Sequence, residues 1–158
     1  MSAGKGIMAL TIGLAITGCG AGDSSAPPSA PSDPEGATAP SPQVQAYIES
    51  WNEPDAKKRT ALLEEGFRDD GRYVDPTVDA LGRAAFVDHI GAYQKSFPGT
   101  ALSAPSGATV HGRAVWLPWE IHNAKGALVL GGVDSILLAE DGRIALVTGF
   151  FGSFKPAP

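Results

Sequence analysis

The sequence predicts an α+β domain, with helices first and an antiparallel sheet after them. Two patterns carry that expectation. Between residues 44 and 97, apolar side chains recur at helical spacing, and from residue 101 onward they recur at every second position. Helices followed by a run of hairpin-linked strands define the class. Composition sets the bounds. Of the 158 residues, six of the 13 prolines fall in residues 19–42, so the folded part is expected to be residues 43–158.

Residues 1–18 read as an export signal. Lys5 precedes a mostly apolar stretch, residues 7–16, and the small residues Thr17 and Gly18 stand before Cys19. Such a stretch is too short for a hydrocarbon core of about 30 Å, which takes roughly 20 helical residues. Residues 16–19 (ITGC) resemble the lipobox of bacterial lipoproteins. That resemblance implies cleavage before Cys19, lipidation of its thiol, and a place at the cell envelope, held to a membrane by lipid alone. A plain secretory signal is the alternative reading. Residues 19–42 are expected to be a disordered tether. Of these 24 residues, 19 are Pro, Ser, Ala or Gly, and none is aromatic, Val, Ile or Leu, so they cannot bury enough apolar surface to offset ordering.

Within residues 43–158, Val44, Tyr47, Ile48 and Trp51 mark one face of a first helix. Asp55 is placed to cap a second helix holding Ala61, Leu62 and Leu63. Residues 71–75 (GRYVD) read as a short strand stopped by Pro76. Phe86, Ile90, Tyr93 and Phe97 mark a third helix, ended by Pro98-Gly99. Residues 101–111, 113–122, 127–139 and 143–152 then read as four strands.

One face of the sheet is expected to carry Val115, Leu117, Trp119, Ile121, Leu128, Leu130, Gly132, Asp134, Ile136 and Leu138. Asp134 is its one charged member. A two-residue turn at Asp141-Gly142 would place Gly149 opposite Asp134, which suggests a cavity rather than solid packing. Burial without a cationic partner should raise the Asp134 pKa and keep the carboxyl protonated, as a hydrogen-bond donor. A buried Asp bonded to a backbone amide or water is the competing reading. Tyr47 is either core filler or a donor in that cavity, and Asp75 either a turn residue or a catalytic group. The other face carries Trp116, Pro118, Val129 and Val133, a patch expected to pair two copies of the chain.

With 12 basic and 17 acidic residues, the chain has a formal charge of −5, which argues against a nucleic-acid partner. The single Cys excludes a disulfide framework, and Glu120 with His122 are too few to bind a metal. No phosphate-binding glycine loop or nucleophile elbow is present, and no cofactor is expected.

Several motifs together resemble the nuclear transport factor 2-like superfamily, in its SnoaL-like branch. They are residues 47–55 (YIESWNEPD), 67–76 (FRDDGRYVDP), Gly82-Arg83, Phe97-Pro98-Gly99, Gly132-Val133-Asp134, 141–144 (DGRI) and 149–152 (GFFG). The resemblance covers nearly all of residues 43–155. It implies a cone: a curved antiparallel sheet wrapped around the N-terminal helices and a deep apolar pocket. It also implies a small apolar ligand, with isomerase, cyclase or dehydratase chemistry in some relatives and binding alone in others. In the isomerase branch, Asp75 would match the general base, while Asp134 and Tyr47 would donate to an enolate oxygen. Phe86, His89, Leu117, Trp119 and Gly149 are expected to line the pocket.

Overall fold

The computed structural model describes residues 38–152. The expected signal, most of the tether and Cys19 lie outside the described residues. The elements follow in the order α1 (Pro42–Asn52), α2 (Ala56–Gly66), β1 (Phe67–Asp75), β2 (Val78–Leu81), α3 (Arg83–Ser96), β3 (Ala101–Ser103), β4 (Thr109–His111), β5 (Ala114–His122), β6 (Leu128–Leu138) and β7 (Ile144–Phe151).

The helices form where the sequence signals them. Ser41 caps α1 and Pro42 occupies its first turn, where a missing N–H costs no hydrogen bond. Val44, Tyr47, Ile48 and Trp51 are all buried, as their spacing predicts. Asp55 caps α2, its Oδ1 accepting from the backbone N–H groups of Lys57 and Lys58 at 2.9 and 3.0 Å. On α3, Phe86 and Ile90 enter the core, while Phe97 caps the helix and is 54% exposed.

The sheet has seven strands in the order β2-β1-β7-β6-β5-β3, with β4 also pairing β5. An all-antiparallel sheet was the expectation, and the sheet is mixed, because β1 and β7 run parallel. Two hairpin reversals bring β7 back in the direction of β5, and the connection from β1 through α3 and the meander is long enough for a parallel pairing. The expected single strand at 101–111 is two short ones. Pro105 interrupts the ladder donors, and Gly107 turns at φ +70° with its N–H on the Ala104 carbonyl. Strand β2 was missed, since four residues after Pro76 carry too little period to read. Ahead of α1, Thr38 and Ala108 exchange backbone hydrogen bonds at 2.9 and 3.0 Å.

Register places the inner face. Leu117 lies opposite Asp134, Trp119 opposite Gly132, and Asp134 opposite Gly149. The last pairing was expected from a two-residue turn, and it arises differently. Ala139 and Arg143 close a three-residue loop, and a register shift between Leu137 and Leu138 restores the parity. A second shift at Ile121/His122 turns Leu128 outward to 59% exposure, against its expected place on the inner face. On the outer face, Trp116 is exposed as expected, whereas Val129, expected beside it, sits at the bulge and lines the cavity between the helices and the sheet. Val133 is buried at 1%, between Pro118 and Phe150 on the neighbouring strands.

The core lies between the inner face of the sheet and the three helices, with Leu63, Phe67, Phe86, Ile90, Leu117, Ile144 and Val147 fully buried. Each such side chain contributes roughly 1.5–3 kcal/mol of burial free energy. Arg59 is 4% exposed and donates to the Glu53 carbonyl and Gln94 Oε1, tying the α1–α2 corner to α3.

Candidate functional site: an aromatic cavity with two carboxylates

Beside the core, a cavity of about 420 Å³ opens between the helices and the sheet. α1 supplies Tyr47 and Trp51, β1 supplies Tyr73 and Asp75, and α3 supplies His89, Tyr93 and Phe97. The sheet supplies Trp119, Ile121, Leu130, Asp134 and Phe151. Helical spacing explains the α3 contribution: the stripe of Phe86 and Ile90 enters the core, and its continuation through Tyr93 to Phe97 lines the opening.

Asp134 is buried against the cavity, 2% exposed. Tyr47 Oη donates to its Oδ2 at 2.6 Å, and Trp119 Nε1 donates to its Oδ1 at 2.9 Å. Burial pushes the Asp134 carboxyl up to about 6; the two donors hold it down and the Asp75 charge adds to the rise. The upward direction is the expected one. Both oxygens of Asp134 already accept a hydrogen bond, so the Tyr47 hydroxyl is engaged with Asp134 and is not turned into the cavity as a free donor. Burial and then the Asp134 charge raise the Tyr47 phenol well above its ordinary value. Trp51 Nε1 makes no hydrogen bond of good geometry, although its N–H lies toward the Tyr47 oxygen.

Asp75 serves two purposes at the end of β1. Its Oδ1 accepts from the N–H groups of Thr77 and Val78 and from the Thr77 hydroxyl, which shapes the turn into β2. Its Oδ2 accepts from Tyr73 Oη at 2.9 Å and lies on the cavity side. The turn reading and the pocket reading therefore both describe it. Burial lowers the His89 pKa, partly offset by Asp75, so the imidazole is neutral at pH 7.

Gly149 is the junction. A Cβ there would stand 3.2 Å from Asp134 Oδ1, 3.3 Å from Asp75 Cβ and 3.5 Å from Tyr73 Oη. The absence of a side chain lets three groups from β1 and β6 converge across β7. Gly132 plays a similar part under Trp119, whose ring lies where a Cβ would come within 2.3 Å.

Of the residues expected in the pocket, Tyr47, Asp75, His89, Trp119 and Asp134 share the cavity, and Gly149 stands behind it. Phe86 and Leu117 do not reach it. Phe86 is stacked between Tyr47 and Tyr73 at 5.9 and 4.5 Å, and Leu117 is fully enclosed in the core. Tyr73, Trp51, Tyr93 and Phe97 were missed as cavity residues. The alternation of β1 would have put Tyr73 and Asp75 on one face, and that signal was available. Among the described residues, no three His, Cys, Asp or Glu side chains cluster to hold a metal, and no helix is long and apolar enough to cross a membrane.

A curved sheet closing three helices over an aromatic cavity defines a small-molecule pocket fold. Residues 44–147 match the SnoaL-like domain, and the chain belongs to that family. It is similar to a proposed SnoaL-like isomerase from Agrobacterium tumefaciens str. C58, with 31% identity, 70% of this chain and 95% of that one covered, and a TM-score of 0.67. A proposed polyketide cyclase from Sinorhizobium meliloti shares the fold at 20% identity, covering 68% and 93% of the two chains, with a TM-score of 0.55. An NTF2-like protein of unknown function from Exiguobacterium sp. 255-15 does so at 17% identity, covering 71% and 99%, with a TM-score of 0.57. No curated protein matches the chain.

Proposed function

We propose that the chain is an exported, lipid-anchored domain that captures a small, largely apolar molecule in the aromatic cavity. The observation that carries this is the cavity itself, about 420 Å³ walled by rings, with one deep polar group held in place by Tyr47 and Trp119. The family supports a small-molecule site, and residues 16–19 support the anchor. Native mass spectrometry of protein purified from its own host tests the capture: a retained small molecule is expected, and an empty chain from every growth condition refutes it. For the anchor, Cys19→Ala should move the protein to the soluble fraction or leave it unprocessed. Unchanged processing and fractionation in that variant rejects lipidation, since stable attachment depends on the acyl chains.

Acid–base chemistry on the bound molecule, without a cofactor, is the second reading. It is favoured by Asp75 and the neutral His89 sharing the cavity with Asp134. Under that reading Asp75 or His89 abstracts a proton next to a carbonyl, and Asp75→Asn abolishes turnover while capture persists. Equal turnover in that variant removes Asp75 as the base.

A further inference from the structure

We infer that the cavity selects a protonated amine, its ammonium seated at Asp134 and Asp75 and its apolar body against the ring walls. This rests on the reading of the chain as a small-molecule binder and names the ligand class.

Counting donors and acceptors decides it. Apart from the buried Trp51 N–H, the hydroxyl and indole donors around the cavity are engaged with protein acceptors. Tyr47 and Trp119 donate to Asp134, and Tyr73 and Thr77 donate to Asp75. Thr100 donates to the Phe97 carbonyl, so the Tyr93 hydroxyl donates to Thr100. Ser96 donates to the Ala92 carbonyl. The Trp51 N–H has no partner of good geometry but is buried beside the Tyr47 oxygen, so the donors left are that buried N–H and one ring N–H of the half-buried His89. The acceptor side is different. Each Asp134 oxygen takes one donor and keeps a lone pair, and so does Asp75 Oδ2.

A carbonyl, phenolate or carboxylate entering this site meets two carboxylates and almost no free donor. An ammonium meets charge-assisted acceptors and the negative faces of the rings. The charged and titratable groups facing Asp134 are Tyr47 from α1, Tyr73 and Asp75 from β1, and His89 across the cavity from α3. No Lys or Arg is among the described residues that line the cavity. A bound cation would also relieve the repulsion between the two carboxylates, which Gly149 brings close together.

Calorimetry of the full chain at pH 7.5 with three matched probes tests this: 4-phenylbutylammonium, 4-phenylbutanol and 4-phenylbutyrate. The ammonium should bind at least about tenfold tighter than the alcohol, a difference of about 1.4 kcal/mol, with the carboxylate weakest. At pH 5, where Asp134 takes up its proton, the ammonium should lose several-fold while the alcohol changes less than twofold. In Asp75→Asn the ammonium-to-alcohol ratio should fall at least fivefold. If the alcohol or the carboxylate binds as tightly as the ammonium, or if the ratio survives both pH 5 and Asp75→Asn, amine selection is overturned and small-molecule capture stands. If none of the three binds, both fall.

Discussion

Asp134→Asn should remove a pH dependence of stability that the wild type carries. The folded carboxyl titrates near 6, and its ordinary value is 3.8. The gap of about two units, at 1.36 kcal/mol each, makes the effect of order 3 kcal/mol. Its sign follows from proton counts. Between pH 4 and 6 the folded chain holds a proton at Asp134 that the unfolded chain has released, so stability falls as pH rises. The contribution is complete below the unfolded value and is lost as pH climbs through the folded one. Exposed pairs such as Arg68–Asp70, Arg72–Asp79 and Arg143–Asp141 lower their carboxyls and act in the opposite direction. The variant keeps those pairs, so the difference between the two proteins isolates Asp134. Urea unfolding of both, from pH 4 to 7.5, should show the wild type losing about 3 kcal/mol relative to Asp134→Asn. A difference flat to within about 0.5 kcal/mol would mean that the buried carboxyl ionises like a free one, and the desolvation argument would fail.

Other substitutions probe the supports of the site. Gly132→Ala puts a Cβ 2.3 Å from both the Phe150 carbonyl and the Trp119 ring. Overpacking, at about 1–3 kcal/mol, and the weakened Trp119–Asp134 bond, at about 1.5–3, should together lower Tm by more than about 10 °C in a thermal melt. A shift under about 3 °C would show that the ring yields freely. Asp55→Ala removes the α2 cap and should cost about 1 kcal/mol, read as a shift of about 3–6 °C. No shift would mean that water replaces the cap. Pairing of two copies through the outer face, around Trp116 and Leu128, should appear as a dimer by sedimentation and weaken in Trp116→Glu; a clean monomer at micromolar concentration argues against it.

What the sequence disclosed follows from the range of the signals. The α1 stripe, the Asp55 cap and the β5–β6 face are local patterns, and periodicity or one capping residue fixes them. The opposition of Asp134 and Gly149 was legible because parity along a hairpin survives a three-residue loop and one bulge. The parallel β1–β7 pairing was not legible, because no local pattern states which distant edge a strand will join. Leu128 turned outward because a bulge inverts parity without marking the sequence. At the site, the burial of Asp134 was readable from its neighbours. Its hydrogen bonds were not, since they depend on where the Tyr47 hydroxyl and the Trp119 N–H point.

The parallel pairing of β1 with β7 also has a kinetic meaning. Tyr73 meets Val147 and Val74 meets Thr148, contacts that span almost half the chain. Hairpins β5–β6 and β6–β7 close over short loops, so they can form early, whereas the β1–β7 seam closes a long loop and comes late. Until it closes, Asp134 and Gly149 have come together but Tyr73 and Asp75 have not joined them. On that order of closure, the cavity is complete only once the β1–β7 seam has formed. A bound molecule should therefore slow opening of the seam far more than it speeds folding, acting as a clasp on the last joint to form.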